Sequence, residues 1–474
     1  MIPFLAAIAL APPLLPEDPA RPWTFLVYGA ADNNADGPIL RFLDELRTAL
    51  DDDPGIELVL FLDRHEKYAK DEKLLGADFT GGRIYRVRKS SAERIDPGQD
   101  FPAIAGDADP EIDSADPESL GQFLEFGRKR FPAKRYGLLI YSHADGRGMC
   151  PDEQSGHEMW IPELPAKVGA ECKVDFLGLE LCNMSGIEIA YQWRPGNGGF
   201  SSDVLLAIPN AGPPLAWNLA FARIRSPGHA TSAPAPHLDP ASMTAADLGR
   251  LVIEEGARGR RAVAEQNADS GQDVRYESAA CCDLALAADV KAKLDALAVL
   301  LARSGSKEVF EDLRGPSLAG KTVDYSGGNL DRSPYFDLFQ LCDRAAFCDK
   351  LAPETRAAAR AAADTVDRFV LASFGMDGLE SEGFEDGKSG VFIVFPDGDE
   401  LTGIPGLGRK PLWSQFRWYS PLEKQSRADP YGHWSFLADG ATPGNGVVEN
   451  WFELLDSWFD PDPDAKGGVN GYRW

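Results

Sequence analysis

The stretches GLLIYSHADGRG (137–148) and VDFLGLELCNMSGIEI (174–189) decide the fold of this 474-residue chain. Each begins with a short apolar run that is typical of a buried strand in a parallel sheet. The first run leads into His143, and the second leads into Cys182, 39 residues later (182 − 143). The polar, Gly- and Pro-containing segment between them has the length that a crossover between parallel strands requires. We therefore expect His143 and Cys182 at one edge of a sheet, where chemistry collects in open α/β folds.

The N-terminal half continues this alternation of strands and helices. Residues 23–28 (WTFLVY) and 56–62 (IELVLFL) are further apolar runs, and an amphipathic helix that begins near Pro38 separates them. This spacing predicts a right-handed βαβ unit. Residues 117–131 predict another helix and residues 204–208 another strand. The pattern predicts a largely parallel sheet with helices on both faces.

Other segments are predicted from turn residues and from periodicity. Residues 76–88 predict a hairpin that turns at Gly81-Gly82, and the Asp-, Pro- and Ser-rich residues 90–116 predict a loop. The remaining predictions are helices near 217–224, 242–265, 283–303, 335–338 and 352–372 and a strand at 390–395. The length is too great for one simple domain, so one large or two packed domains are expected. We divide the chain into an N-terminal arm (1–21), a catalytic core (22–210) and a helical and α/β C-terminal region packed on the core (211–474).

The chain is strongly acidic, with 74 acidic and 48 basic residues and a formal net charge of −26. Such a charge argues against nucleic acid or an anionic membrane as the partner. It is compatible with cationic substrates, with a bound divalent metal, or simply with solubility.

The first 21 residues are apolar and interrupted by prolines, and no basic residue precedes Arg21. They resemble the apolar region of a secretory signal but lack its basic start. A secreted or periplasmic location is predicted, with an apolar arm on a cytoplasmic protein as the alternative. No stretch of the sequence is long and apolar enough to predict a membrane span.

Seven cysteines are present, which is an odd number, and no Cys-x-x-Cys pair occurs. A structural zinc site is therefore not expected, and the disulfide pairing stays open. The adjacent Cys281 and Cys282 precede a predicted helix and are assigned to packing.

The segments Tyr141–Gly146 and Gly178–Met184 resemble the two motifs of clostripain-family cysteine peptidases, which belong to a caspase-like group. In that family, one apolar strand ends in His-Gly and another ends in Asp-x-Cys before a helix. The order of the motifs and their flanking elements agree here, and the resemblance extends over residues 22–460. Two positions differ, because Ala144 replaces the usual Gly and Glu180 replaces the usual Asp. The resemblance implies a caspase-like α/β fold with a C-terminal α/β extension.

The resemblance also implies the catalytic roles. Cys182 would attack a peptide carbonyl as a thiolate and form a thioester, and His143 would transfer the protons. The backbone N–H groups of Cys182 and Ala144 would stabilise the oxyanion. Cys150 and Cys172 are alternative nucleophiles and His65 is an alternative base, but neither of the two cysteines ends an apolar strand.

In the family, the acid that precedes the Cys binds the basic residue before the scissile bond. Glu180 is two residues from Cys182 and would share its face of the strand, so it is expected to select Arg or Lys. A solvated Glu180 is the alternative. Residues 213–217 stand where the family has a Pro-Gly-x-Gly-Trp pocket wall, and of that pattern they keep only the first Pro and Trp217.

Two further properties come from the resemblance. The loop between the His and the Cys is cut after a basic residue in the family, which makes Arg147 and Lys167 candidate processing sites. Calcium dependence also occurs in the family, and Asp32–Asp36 and Asp107–Asp116 are acidic segments that could supply ligands. No EF-hand pattern is present, and solvated loops are the alternative.

These observations predict a cysteine endopeptidase that cleaves proteins or peptides after Arg or Lys through a His143/Cys182 dyad. The chemistry of such an enzyme requires no cofactor. Two alternatives stay open: a catalytically weak or inactive binding protein, suggested by Ala144 and by the altered 213–217 segment, and an acyl-transferring amidase or transpeptidase that uses the same dyad.

Overall fold

The structure is a computed structural model of the chain. It describes residues 21–52, 55–68, 74–106, 109–212, 214–227, 236–266, 276–315, 322–326, 334–396, 431–437 and 447–459. Predictions for the segment before Arg21, for Pro213 and for Asp107 lie outside these residues.

Thirteen strands occur within the described residues. They are β1 (Arg21–Ala31), β2 (Ile56–Arg64), β3 (Gly81–Arg88), β4 (Ser91–Ile95), β5 (Ala133–Tyr141), β6 (Gly148–Asp152), β7 (His157–Trp160), β8 (Val174–Glu180), β9 (Ser202–Ala207), β10 (Ser278–Asp283), β11 (Tyr335–Asp337), β12 (Val370–Gly375) and β13 (Phe392–Val394). Nine of them form one sheet in the order β12-β10-β9-β8-β5-β1-β2-β3-β4. The five central strands, from β9 to β2, run parallel, and both ends of the sheet are completed by antiparallel strands.

Helices cover both faces of the sheet. They are α1 (Asp36–Ala49), α2 (Pro117–Arg130), α3 (Leu164–Val168), α4 (Ile187–Gln192), α5 (Trp217–Phe221), α6 (Ala245–Gln266), α7 (Ala287–Ser304), α8 (Lys307–Arg314), α9 (Leu338–Phe347), α10 (Pro353–Phe369), α11 (Asp377–Ser381) and α12 (Trp451–Phe459). Side chains alternate between two cores along each central strand. In β1, Leu26 and Tyr28 pack into the core on the α2 side, whereas Phe25 and Val27 pack into the core on the α1 side. Burial on both faces explains why these strands appear as continuous apolar runs.

Three local predictions are wrong. Gly81 and Gly82 begin β3 instead of forming a turn, because this strand pairs antiparallel with β2 along its length. The hairpin turn lies at Lys89 and Ser90, and the next strand, β4, occupies part of the segment that was predicted to be a loop. Residues 335–337 form a short strand, and the helix that was predicted to open there begins at Leu338.

The C-terminal region contributes to the same sheet as the N-terminal half. Strand β10 extends the sheet beyond β9, and β12 pairs with β10, both in antiparallel orientation. Helices α7 and α10 pack together, and their apolar residues belong to the core on the α2 side. Residues on either side of position 210 therefore share one sheet and one core.

Candidate active site

Strands β5 and β8 are neighbours in the sheet, and Tyr141 is aligned with Glu180 at their carboxyl ends. His143 and Cys182 follow these ends directly, as the two apolar runs predict. Both residues line a cleft of about 300 Å³. The cleft is also lined by Ala35, Pro38, Arg41, Tyr141, Ser142, Glu180, Gly212 and Pro214. The fold therefore brings the predicted nucleophile, base and acid to one site.

The imidazole of His143 is held by a residue that sequence reasoning missed. Asn34, in the turn after β1, places its side-chain oxygen Oδ1 2.5 Å from His143 Nε2. An amide oxygen only accepts hydrogen bonds, so Nε2 carries a proton and Nδ1 of the neutral ring keeps its lone pair. Burial lowers the pKa of His143, which favours this neutral form.

The thiol of Cys182 is also held in its neutral form. Burial raises its pKa, the Gly212 backbone N–H lowers it, and the negative charge of Glu180 raises it. Asn183, the next residue, has a left-handed backbone with φ of 58°. Both pKa shifts therefore favour a thiol and a neutral imidazole over a thiolate–imidazolium pair.

Two backbone N–H groups are available as donors: that of Cys182, which lines the cleft, and that of Ala144, which follows the cleft residue His143. Ala144 faces Met149 across an isolated antiparallel bridge, which is closed by Cys150 N to His143 O (2.9 Å) and Asp145 N to Gly148 O (3.2 Å). Ala144 is thus in a non-hydrogen-bonded pair, and its own N–H takes no part in the bridge. Among the described residues, neither this N–H nor that of Cys182 donates a hydrogen bond. These are the two donors that the sequence predicts for an oxyanion.

Glu180 is buried, and two hydrogen-bond donors of the protein hold its carboxylate in place. One oxygen accepts a hydrogen bond from Leu215 N (2.9 Å) and the other accepts one from Trp217 Nε1. Burial raises the pKa of Glu180, while these two donors and Arg260 lower it. Trp217 is fully buried and packs edge-on against Phe176. Its ring therefore supports Glu180 from the core side. Trp217 is not one of the described residues that line the cleft.

Arg41 is a second residue that the sequence did not single out. It is exposed on α1 and lines the cleft beside Pro38. The periodicity of α1 shows that Arg41 lies outside the apolar face of the helix. It does not show that Arg41 lines the cleft, because that depends on how α1 packs in the folded chain.

The alternative nucleophiles are buried away from the cleft. Cys150 and Cys172 are inaccessible, and burial raises the pKa of both thiols, to about 11 for Cys172. Cys281 and Cys282 lie in β10 and are buried, in agreement with a packing role. None of the seven cysteines, all of which fall within the described residues, forms a disulfide.

The two candidate processing residues differ in accessibility. Arg147 is 4% exposed, pairs with Asp145 (3.1 Å) and lies over the Trp160 ring. Lys167 lies in the short helix α3, with 43% of its side chain exposed, and pairs with Glu163 (2.8 Å).

The two acidic segments, Asp32–Asp36 and Asp107–Asp116, each contribute one carboxylate to the same cluster. The cluster also contains two carboxylates that the sequence did not single out. Asp32 and Glu111 lie with Asp63 and Asp152 in one cluster, in which one carboxylate oxygen of each residue lies within 4.8 Å of the others. Asp63 ends an apolar strand and Asp152 lies in the β6–β7 hairpin, so sequence alone did not single them out.

Within the described residues, no helix combines the length and hydropathy that crossing a bilayer would require.

Comparisons with known proteins give the family of the chain. The model of the clostripain family matches residues 27–458. Clostripain of Hathewaya histolytica is 32% identical over 482 residues, which cover 95% of this chain and 89% of that protein.

Two solved structures have the same fold at low sequence identity. An inactive zymogen C11 protease from Parabacteroides distasonis has a TM-score of 0.51 at 14% identity, covering 81% of this chain and 94% of its own. A secreted C11 cysteine protease from Bacteroides thetaiotaomicron, in complex with an irreversible peptide inhibitor, has a TM-score of 0.51 at 16% identity, covering 85% and 98%. They confirm the predicted caspase-like fold. The family match and the extent of identity together show that this chain belongs to the clostripain family and is a cysteine-type peptidase.

Proposed function

We propose that the chain is an endopeptidase that cleaves after Arg or Lys through His143 and Cys182. The observation that supports this proposal is the shared cleft, which places a thiol, an imidazole and a buried carboxylate at the ends of two neighbouring strands. A cysteine peptidase needs no cofactor for its bond-breaking chemistry. The calcium dependence that the family resemblance implies is a separate question of binding.

The proposed reaction begins from the neutral dyad. His143 takes the proton from Cys182 as the sulfur attacks the scissile carbonyl carbon, and the N–H groups of Ala144 and Cys182 bind the resulting oxyanion. The protonated imidazole then gives its proton to the leaving amine, and a thioester forms. Water, deprotonated by His143, hydrolyses the thioester and restores the thiol. Asn34 orients the imidazole throughout.

Specificity for a basic residue is assigned to Glu180. Its two oxygens each accept one hydrogen bond from the protein, which leaves a further lone pair on each for a guanidinium or ammonium group. A charge-assisted bond to a buried carboxylate is stronger than a neutral one. Trp217 would act as a positioning residue, since its indole N–H holds Glu180.

Self-processing is proposed at Lys167 in preference to Arg147. Cleavage requires an extended, accessible backbone. Lys167 lies on the exposed side of the five-residue helix α3, whose Leu164, Pro165 and Val168 are buried. The backbone oxygen of Arg147 instead accepts a hydrogen bond from Ile161 N (3.2 Å), which ties it to the β6–β7 hairpin. A Cys182→Ala protein that stays a single chain, while the wild type yields one fragment that ends at Lys167 and one that begins at Val168, would support this assignment.

The experiment that tests the function compares matched fluorogenic peptides ending in Arg, Lys, citrulline, Asp or Leu. Wild type should turn over the Arg and Lys peptides, and Cys182→Ala should turn over none. Glu180→Gln removes a charge-assisted interaction of about 1.5–3 kcal/mol, so we expect kcat/KM for Arg peptides to fall roughly 10- to 100-fold. The ratio of Arg to citrulline turnover should fall with it, whereas a merely structural effect would lower both equally.

Other outcomes would favour the two alternatives. Efficient turnover of Asp or Leu peptides would keep the nucleophile and overturn the role of Glu180. Product that carries an added amine acceptor would identify a transferase. No turnover, even after limited proteolysis of the 147–173 segment, would favour a binding protein.

A secreted or periplasmic location is proposed from the apolar first 21 residues. Expression with and without residues 2–20, followed by cell fractionation, tests it. Equal retention of both forms inside the cell would contradict export.

A further inference from the structure

The two turns that carry the proposed dyad begin where the ladder between β5 and β8 stops. The register of these strands ends at Tyr141 and Glu180, before the histidine turn (142–147) and the cysteine turn (181–186). The ladder therefore does not itself fix the distance between the turns. A dyad reacts only in a narrow range of geometries, and a displacement of about 1 Å can cost about 100-fold in rate. The contacts that the turns make beyond the ladder decide whether the reactive geometry is kept.

The histidine turn is held from the C-terminal region by Tyr335. Its hydroxyl donates a hydrogen bond to the backbone oxygen of Asp145 (2.6 Å). Its ring is fully buried and stacks on Phe392, with the ring centroids 4.0 Å apart. Asp145 Oδ1 in turn accepts from Arg147 N and Gly148 N, both at 3.1 Å, so the turn is cross-linked within itself. Holding one carbonyl of this turn therefore restrains the rest of it.

The cysteine turn is held by β13 and by the residues just before that strand. Ser185 Oγ donates to Gly390 O (2.7 Å), and Phe392 N donates to Ser185 O (2.9 Å). Gly186 also forms a parallel bridge with Phe392. Strand β13 pairs antiparallel with β11, the strand that carries Tyr335. One two-stranded ribbon, β11–β13, therefore contacts both turns.

Gly146 shows how closely the two turns and the ribbon approach each other. Its φ of 88° lies in the left-handed region that favours glycine. A Cβ at this position would collide with the Tyr335 hydroxyl and would lie 3.0 Å from Asn183 O, in the cysteine turn. The histidine turn, the cysteine turn and Tyr335 therefore meet at one point that leaves no space for a methyl group.

We propose that the β11–β13 ribbon sets the spacing between the two turns, and that Tyr335 is a positioning residue for the dyad of His143 and Cys182. This inference rests on the proposed function, because it concerns the geometry of the proposed dyad. Tyr335 is not among the described residues that line the cleft, so it acts through the histidine turn. Asn34 orients the imidazole ring, whereas Tyr335 fixes the backbone that carries both the ring and the Ala144 N–H.

The kinetic test compares Tyr335→Phe with Tyr136→Phe in the full-length enzyme. Tyr335→Phe keeps the stacked ring and removes the hydroxyl that holds the turn. Tyr136 is the matched control, because it is also buried and its hydroxyl accepts a backbone hydrogen bond, from Ala133 N (3.0 Å). It lies in the first half of β5, away from the end that leads to His143.

The expected result is a loss confined to kcat. For an Arg peptide, kcat should fall about tenfold in Tyr335→Phe and less than about twofold in Tyr136→Phe. KM and the ratio of Arg to citrulline turnover should stay close to their wild-type values, because Glu180 keeps both of its hydrogen-bond donors. A merely structural role would lower the stability of both variants and leave kcat of the folded enzyme unchanged.

Hydrogen exchange gives a readout that does not depend on peptidase activity. In Cys182→Ala protein, Tyr335→Phe should speed exchange in peptides that cover residues 143–150, where the N–H groups of Asp145 and Cys150 close the turn. Peptides from β1 and β2 should exchange as in the parent protein, and Tyr136→Phe should leave residues 143–150 unchanged.

A second variant tests the other side of the ribbon. Ser185→Ala removes the hydrogen bond from the cysteine turn to Gly390 and should speed exchange in peptides that follow Cys182. It should also lower kcat while leaving KM unchanged. Combined with Tyr335→Phe, its effect on kcat should be less than multiplicative, since both residues maintain the same spacing.

The outcomes separate the ribbon from the proposed function. Equal exchange of residues 143–150 in Tyr335→Phe and its parent would overturn the inference, whatever the activity. Faster exchange with a kcat no lower than that of Tyr136→Phe would overturn the role of Tyr335 as a positioning residue. A wild type that turns over none of the peptides would contradict the proposed function instead, and the exchange result would still decide whether the ribbon holds the turn.

Discussion

At the scale of the residue, the pKa shifts of the two groups in the proposed dyad both favour a neutral thiol and a neutral imidazole before substrate arrives. Burial lowers the pKa of His143 and raises that of Cys182, so both effects oppose an ion pair. The carboxylate of Glu180 adds to the rise at Cys182. A cationic substrate side chain beside Glu180 would offset that last contribution, so binding the correct residue would also ease deprotonation of the thiol.

This arrangement predicts the pH dependence of Cys182 alkylation. Iodoacetamide reacts with the thiolate, so the rate in free enzyme should rise with one inflection above pH 9.0, the ordinary thiol pKa. The measurement follows modification of the Cys182 peptide by mass spectrometry between about pH 5 and pH 10. His143→Ala should leave the inflection nearly unchanged. A rate plateau near neutral pH that His143→Ala abolishes would show a preformed ion pair and contradict the prediction.

The proposed mechanism also predicts how turnover falls at acid pH. In that mechanism attack needs neutral His143 as the base, and protonation of His143 as the pH falls removes the base. The pKa of His143 is lowered from 6.5. As the pH is lowered, kcat/KM should therefore stay constant past pH 6.5 and decline only at a lower pH. A decline that begins above pH 6.5 would show that another group controls the base.

At the scale of the element, one glycine of strand β8 helps to position Glu180. Gly178 leaves room for the Trp217 ring, whose N–H binds Glu180. A Cβ added at Gly178 would lie 2.9 Å from the Trp217 ring and 3.2 Å from Leu139 Cδ2. The indole fits over the strand only because that side chain is missing, and its N–H then reaches Glu180. The strand therefore ends beside Cys182, the proposed nucleophile, and its interior makes room for the ring that supports Glu180, the proposed specificity residue.

Gly178→Ala should accordingly impair both stability and selectivity. Overpacking of this kind costs about 1–3 kcal/mol, which urea unfolding would measure. Displacement of the indole should also lower the preference for Arg over citrulline peptides. Gly121→Ala in α2 is the control, because its Cβ would meet Val168 atoms only at 3.7 Å and beyond, and it should stabilise by about 0.5–1 kcal/mol. A Gly178→Ala protein with wild-type stability and selectivity would show that Trp217 does not position Glu180.

The central strands could be predicted because a strand that is buried on both faces has apolar residues at nearly every position. The edge strands could not be predicted in this way. Strand β4 (SAERI) lies at the end of the sheet, and its largely polar residues are exposed or half-buried. Its composition is therefore that of a loop. Sequence also predicted that His143 and Cys182, which follow apolar runs, lie at the same edge of the sheet, and both line one cleft. It did not locate Asn34, Arg41 or Asp63, because their positions at or beside the cleft depend on which elements become neighbours in space. Sequence order does not contain that information.

At the scale of the whole molecule, the sheet does not end where the catalytic motifs end. Strand β9 is followed in space by β10 and β12, which come from far later in the chain. Glu188 of α4 shows how the regions interlock, because it accepts hydrogen bonds from Val394 N (2.9 Å) and Tyr431 Oη (2.7 Å). The helix that follows Cys182 is thus held by two segments of the C-terminal region.

Residues 22–210 expressed alone should therefore fail to form a stable domain. The fragment would expose the edge of β9, which promotes association, and would lose the part of the core that α7 and α10 supply. We expect an aggregated or partly folded species without a cooperative urea transition, measured by circular dichroism and size-exclusion chromatography. Co-expression with residues 211–474 should restore a cooperative transition close to that of full-length Cys182→Ala, since the two segments together contain every element of the sheet. A monomeric 22–210 fragment that unfolds cooperatively would show instead that the catalytic motifs occupy an autonomous domain and that β10 and β12 are an addition to it.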